Sequence, residues 1–411
     1  MSDLAATPAH VPADRVVDFD IFNPPGAEQD YFAAWLTLQR PGMAGLVWTP
    51  RNGGHWIATK GDYVHELWAD VTSLSSKVLA VTPGLGEVMN FIPLQLDPPE
   101  HAPFRTAVLR GLAANYIKGI EPKVVEVARE LIATLRSRGS CEFVTEFAEI
   151  MPVNIFLTLI DVPLEDRPRL REFGKQLTRP DGSMTVEELA GAADDYLWPF
   201  LKARLESPGE DLFSRILSEP INGRPWTVDE ARRMCRNLLF GGLDTVAAMV
   251  GMVAFHLASH PDDQRRLRAD PSLIPTAADE LMRRYPTVSV SRNLVEDVEL
   301  DGVTMKTGEL VYLPSVLHNL DPRSFDAPEE VRFDRNLSPL RHSTMGAGAH
   351  RCVGAGLARM ELMAFLREWL AGMPEFRLDP DKPVRMRAGN VGGVTALPLL
   401  RDAAQSLART G

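Results

Sequence analysis

The sequence predicts a mainly α-helical protein with small β-sheets grouped at one side. Three observations carry that expectation. Long stretches hold apolar residues at helical spacing, as in Val124, Val125, Val127, Ala128, Leu131, Ile132 and Leu135. One long helix opens on a capping-box pattern, Thr227 with Glu230 three residues on, and runs to about Ser259, before Pro261. At ~1.5 Å per residue it is roughly 50 Å long, enough to cross a whole domain. Strand-like runs are confined to about 45–60, 287–315 and 384–400.

In chain order, Ala27 to Gln39 reads as a helix after the Asn23-Pro24-Pro25-Gly26 turn. Leu46 to Trp48 and Trp56 to Ala58 flank Asn52-Gly53-Gly54, a hairpin signal. Helices follow over Pro122–Ser137, Phe143–Ile160, Glu165–Leu177 and Val186–Leu205, with a turn at Arg179–Ser183. After the long helix comes another at Ala277–Arg284. From Thr287 the pattern alternates: Val288 to Leu294, then Val298–Leu300 and Val303–Met305 about Asp301-Gly302. A last helix runs from about Gly354 to Leu370, and Val384–Leu400 forms a strand pair around Gly392-Gly393.

The 411 residues are 45% hydrophobic and 24% charged, which supports a large core and argues against disorder. No repeat, linker or sharp boundary divides them, so 1–411 reads as one domain. Asp and Glu (55) exceed Lys and Arg (44), and the resulting −11 argues against nucleic acid as a partner. Cys141, Cys235 and Cys352 lie far apart without CxxC spacing. That argues against zinc and iron–sulfur sites and fits a reducing, cytoplasmic setting. The N-terminus shows no apolar targeting segment. Leu238 to Ala258 is strongly apolar, but Asp244 and His256 interrupt it. It reads as a helix buried in protein, not a membrane span.

The most informative segment runs from Met345 to Gly356, where a glycine-rich loop leads into a helix and Cys352 sits at the junction. Glycines permit positive φ and close approach of a large group. A cysteine at a helix N-terminus feels the positive end of the macrodipole, which favours the thiolate. Nucleophile and axial metal ligand both suit such a residue, as does a plain buried cysteine. A dinucleotide loop does not, because Arg351 stands where a third glycine belongs and no strand precedes.

Here the sequence resembles the cytochrome P450 family of haem-thiolate monooxygenases. Their F-x-x-G-x-x-x-C-x-G signature is matched by Gly348, Cys352 and Gly354, with Met345 in place of Phe. The resemblance implies a cytochrome P450 fold, with the long central helix over haem b. Cys352 would be the iron ligand, and Gly346 would be among the loop residues that contact haem. Glu280 and Arg283 match the family's E-x-x-R pair, sharing a helix face, with Arg335 as the further arginine that supports it. Gly241-Gly242-Leu243-Asp244-Thr245 matches the acid–alcohol pair, in which Asp244 and Thr245 deliver protons during dioxygen activation. His101, Arg105, Arg292 and His350 match residues that meet the haem propionates through charge-assisted hydrogen bonds.

The resemblance spans roughly residues 20 to 400 and is strongest to the bacterial camphor hydroxylases. Phe91-Ile92-Pro93, Asp97-Pro98-Pro99-Glu100 and Asp181–Thr185 carry it. Where that group has a tyrosine that hydrogen-bonds the camphor ketone, this chain has Met89, whose thioether cannot donate. The pocket positions would be Met89, Phe91, Leu94, Asn237, Phe240, Val288, Val290, Asn390 and Val391, mostly apolar, with Asn237 as a polar handle. The expected substrate is therefore a compact terpenoid or norisoprenoid of the ionone type rather than camphor. The resemblance also implies O2 and two electrons from a [2Fe-2S] ferredoxin, served by an NAD(P)H-dependent ferredoxin reductase. Arg105, Arg110 and Arg359 would form its docking face. A monomer without membrane or nucleic-acid partners is expected. Two rival readings are a haem-binding sensor without turnover, and a cysteine hydrolase pairing Cys352 with His350.

Overall fold

In the computed structural model, residues 4–82, 84–178, 182–335, 337–338 and 341–401 are described. The turn expected at 179–183 lies partly outside them.

The axis of the fold is the helical stretch Val228–Ser259, interrupted at Asp244. Its start is a formed capping box. The Glu230 amide donates to the Thr227 hydroxyl at 3.3 Å, and the Thr227 amide donates to the Glu230 carboxylate at 2.9 Å. The second half, Thr245–Ser259, buries Val246 to Ala254 without a break, so its apolarity is satisfied by protein on all sides. The interruption has a local cause. The Thr245 hydroxyl donates to the Gly241 carbonyl at 2.9 Å and competes for that backbone acceptor.

The helix Ala355–Gly372 packs on Ala114–Leu135. A Cβ on Gly372 would stand 2.9 Å from Ile132 and one on Gly356 3.2 Å from Ile117, so the glycines set how closely the two helices approach. Phe365 and Trp369 of that helix also join Phe143, Phe147 and Phe376 in an aromatic cluster, with rings 4.8 to 5.9 Å apart.

Several boundaries move. The first helix starts at Tyr31, because the Asp30 carboxylate accepts from the Phe32 and Ala33 amides and fixes the N-terminus there. The helix expected from Pro122 begins at Ala114 and carries the proline inside it. An interior proline costs a helix about 3 kcal/mol, and burial of Ile120, Val124, Val127, Leu131 and Leu135 offsets it. Phe143–Ile160 divides into a π-turn, Val144–Ala148, and a helix, Met151–Leu159.

Among the described residues the strands form four small sheets. The largest orders Leu46–Thr49, His55–Ala58, Leu310–Pro314, Ser289–Leu294 and Leu74–Ser75, with only the second and third parallel. The Asp301-Gly302 hairpin forms with positive φ at both residues, 53° and 78°, as such a two-residue turn requires. The C-terminal segment pairs Arg385–Arg387 with Gly393–Ala396, while Pro398–Arg401 joins Ser140–Glu142 and Phe376–Leu378. A single bridge, Val288 to Val391, ties this segment to the largest sheet.

Candidate active site

The cysteine loop is held by close backbone approach. Gly346 and Gly348 have φ of 71° and 62°. A Cβ would stand 2.9 Å from the Trp68 indole nitrogen at Gly346, and 2.7 Å from the Ala69 backbone at Gly348. Both glycines therefore seat the loop on the Gly61–Ala69 helix. The Cys352 amide donates to the Met345 carbonyl at 2.8 Å and closes the loop. Burial pushes the Cys352 thiol up, against the Gly354 amide and the Arg351 and Arg105 guanidinium groups that pull it down. The Gly354 amide thus favours the thiolate, as expected of a helix start, while burial opposes it. Although enclosed by its loop, Cys352 is exposed at one face, which leaves it open to a ligand.

Nearby, four basic side chains gather with little acid to match. The rings of His101 and His350 lie 4.3 Å apart. His101 Nε2 and both ring nitrogens of His350 are buried without a partner. Arg292 is 2% exposed, and its guanidinium donates to the Ser291 carbonyl at 2.9 Å. Burial pushes Arg292 down to about 10, His101 to about 4 and His350 to about 3, with Arg292 and His101 adding repulsion at His350. Arg105 donates to the Arg351 carbonyl. The carboxylate facing this group is Asp97, which already accepts from the Ser75 hydroxyl at 2.5 Å and the Ser76 amide at 2.9 Å. Buried donors of this kind need acceptors from outside the chain, and paired carboxylates fit them.

At the central-helix break, Asp244 is buried and its Oδ2 lies 2.5 Å from Arg387. Arg387 also reaches the Thr178 hydroxyl at 3.4 Å. No local sequence pattern signals Arg387, because it stands 143 residues after its partner. Gly241, just before the break, is exposed with open space in the direction of a Cβ.

The residues expected to form the substrate wall are buried or half-buried. Met89 is fully buried, and the Phe91 and Phe240 rings lie 5.9 Å apart. Asn237 donates through Nδ2 to the Ile92 carbonyl at 3.0 Å, so one N–H of its amide ties the wall together. Arg233 adds a second tie, missed in the sequence, by donating to the Asn90 carbonyl at 2.9 Å and to its side-chain oxygen at 2.5 Å. Leu94, Val288, Val290 and Asn390 are half-buried, and Val391 is buried.

Glu280 and Arg283 are both fully buried, paired at 2.8 and 2.9 Å. Arg335 donates to the same carboxylate at 3.1 Å and the Arg332 amide at 3.0 Å. Arg283 also donates to the carbonyls of Asn319, Pro328 and Glu330, so its charge is well satisfied. The expected basic face fares differently. Arg359 is bidentate to Asp279, Arg110 pairs with Glu219, and Arg105 turns inward. Carboxylates neutralise two of the three. A groove of about 620 Å³ lined by Tyr116, Lys123 and Arg215 includes none of these site residues.

Known proteins resemble this chain in sequence and in fold. The family model for Cytochrome P450 matches residues 209–396. The crystal structure of cytochrome P450 CYP101C1 superposes with a TM-score of 0.92 at 72% identity, covering 97% of this chain and 100% of that one. The probable cytochrome P450 127A1 of Sinorhizobium fredii is 30% identical over 401 residues, 95% of this chain and 96% of its own length. The 20-oxo-5-O-mycaminosyltylactone 23-monooxygenase of Streptomyces fradiae is 30% identical over 388 residues, 92% of this chain and 90% of its own. This chain therefore belongs to the cytochrome P450 family and has its fold. It is a monooxygenase, and its cofactor is haem b.

Proposed function

We propose that Cys352 binds the haem iron as thiolate. We further propose that the enzyme hydroxylates a compact terpenoid or norisoprenoid, ionone-like rather than camphor. The observation that supports the haem placement is the exposed face of Cys352 beside four basic groups short of acidic partners. His101, Arg105, Arg292 and His350 would hold the two propionates, and the buried ring N–H groups would gain acceptors. When bound, haem supplies dioxygen binding and oxygen-atom insertion.

The chain's residues do the rest. Thr245 holds its hydroxyl at the helix opening on the Gly241 carbonyl, and with the adjacent Asp244 it would relay protons. Asp244 is kept in place by Arg387. Met89, Phe91, Phe240 and Val391 exclude water and press the substrate's C–H bond into position. Met89 offers no donor, so a camphor ketone finds no hydrogen bond there. Electrons come from a [2Fe-2S] ferredoxin with its NAD(P)H-dependent reductase, and the enzyme works as a cytoplasmic monomer.

A strongly red-shifted Soret band of the reduced carbonyl complex, lost in Cys352→Ser, tests the ligand. Spin-state titration with camphor and ionones tests the substrate class, and tighter binding of camphor would sink it.

A further inference from the structure

At the C-terminal end of the central helix a buried phenol is linked to the surface. Tyr285 is 4% exposed and caps the end of the helix Ile274–Arg284. Its hydroxyl lies 2.8 Å from His256 Nδ1, and His256 Nε2 lies 2.9 Å from Asp263 Oδ2. His256 is 2% exposed, whereas Asp263 is half-buried and reaches solvent. These contacts fix the tautomer. A carboxylate only accepts, so Nε2 carries the ring proton. Burial pushes the imidazole down, which keeps it neutral at pH 7 and leaves Nδ1 as acceptor for the phenol. Burial likewise pushes Tyr285 up, to about 12, so it stays protonated. The His260 ring stacks on His256 at 4.2 Å, and its Nδ1 lies 2.9 Å from the His256 carbonyl. Tyr312 offers a contrast: its hydroxyl donates to the Gly389 carbonyl at 3.1 Å, an acceptor that cannot keep a proton.

Tyr285 is also joined to the cysteine loop. Three residues before it, the Met282 carbonyl accepts from the Thr344 hydroxyl at 2.7 Å. The neighbouring Met345 carbonyl accepts from the Cys352 amide at 2.8 Å. Two hydrogen bonds and short runs of backbone thus connect the proposed iron ligand with the phenol.

An oxidised phenol is a strong acid, and a buried cation is costly, so the electron leaves most readily where a base takes the proton at once. We infer that Tyr285 is a redox-active tyrosine that discharges oxidising equivalents from peroxide-treated haem, with His256 as proton acceptor and Asp263 as outlet. The function is self-protection when electron use and product formation uncouple. It goes beyond the proposed hydroxylation and rests on Cys352 as iron ligand. Hydrogen peroxide is the oxidant, and haem oxidised by it takes one electron from Tyr285. The phenol O–H bond breaks, its proton moves to His256 Nδ1, and the Nε2 proton passes to Asp263. A neutral phenoxyl radical remains, and a thiol or ascorbate returns one electron while a proton comes back along the same route.

The test mixes haem-loaded, substrate-free enzyme with hydrogen peroxide and freezes it rapidly. Electron paramagnetic resonance should show a tyrosyl radical, narrowed by ring-deuterated tyrosine. Tyr285→Phe should lose most of that signal and bleach the Soret band several-fold faster. His256→Gln keeps a hydrogen-bond acceptor but removes the base, so it should lose the radical too; a merely structural hydrogen bond would leave it. Asp263→Asn, at a half-buried position, serves if the buried variants do not load haem, and should slow radical formation several-fold. Unchanged signal and bleaching in Tyr285→Phe, or in Asp263→Asn where only that variant loads haem, overturn the inference. So does a wild type whose reduced carbonyl complex has the red-shifted Soret band but which forms no tyrosyl radical. Without that band the ligand reading fails and takes the inference with it.

Discussion

The two sides of the proposed haem site are built differently. On the cysteine side, backbone sets the geometry: glycines seat the loop on Trp68 and Ala69, and the Cys352 amide closes it onto Met345. The buried Glu280–Arg283 pair supports that loop from behind. Arg283 donates to the Asn319 carbonyl, and Asn319 in turn bonds the Ser343 amide and the Thr344 hydroxyl. On the Asp244 side, an ion pair spanning 143 residues helps hold the acid, and a hydroxyl opens the helix. The proposed iron ligand is thus held by backbone, whereas the proposed proton carrier is held by side chains.

The contrast predicts unequal responses to mutation. Glu280→Gln should cost about 3–5 kcal/mol, because Arg283 and Arg335 lose their charge partner in a buried place; the urea midpoint and haem content measure it. Gly348→Ala should follow at about 2–4 kcal/mol, since the methyl group meets Ala69 at positive φ. An unchanged haem content in this variant would break the account of the loop.

Acid should also act on the cysteine side. Burial pushes His318 down to about 4 and His342 to about 3. The unfolded chain therefore binds protons first, so full stability holds above pH ~6.5 and is lost as pH falls toward those values. Each group contributes at most about 1.4 kcal/mol per pH unit. Melting temperatures between pH 7 and 4.5 give the slope, and His342→Leu should flatten it.

The Asp244 side should respond in catalysis more than in stability. Arg387→Ala should lower turnover on the order of tenfold to a hundredfold with haem content preserved, and Arg387→Lys should restore part of it. Thr245→Ala should uncouple electron use from product, read as peroxide released per NAD(P)H oxidised. Should coupling persist in Thr245→Ala, proton delivery runs by another route.

Much of the fold was legible because its signals are local. The Thr227–Glu230 capping box and the Asp301-Gly302 hairpin each involve residues within a few positions, and both stand in the structure. Pro122 misled for the same reason: a local rule put a helix start where long-range burial of the helix's apolar face carried it two turns further back. For the site, the residue types around Cys352, Asp244 and Glu280 were readable from spacing and family resemblance. Their partners were not. Arg387 on Asp244, Asn237 on Ile92 and Arg359 on Asp279 are contacts between distant segments, and no periodicity encodes them.

By itself, the sequence determined the helix-rich class, the caps, the hairpins and the cysteine in its glycine loop, because backbone hydrogen bonds and φ preferences act over a few residues. Tertiary structure alone decided which carboxylate neutralises which arginine and which buried imidazoles lack partners. Those depend on desolvation and close packing, which exist only once distant segments meet.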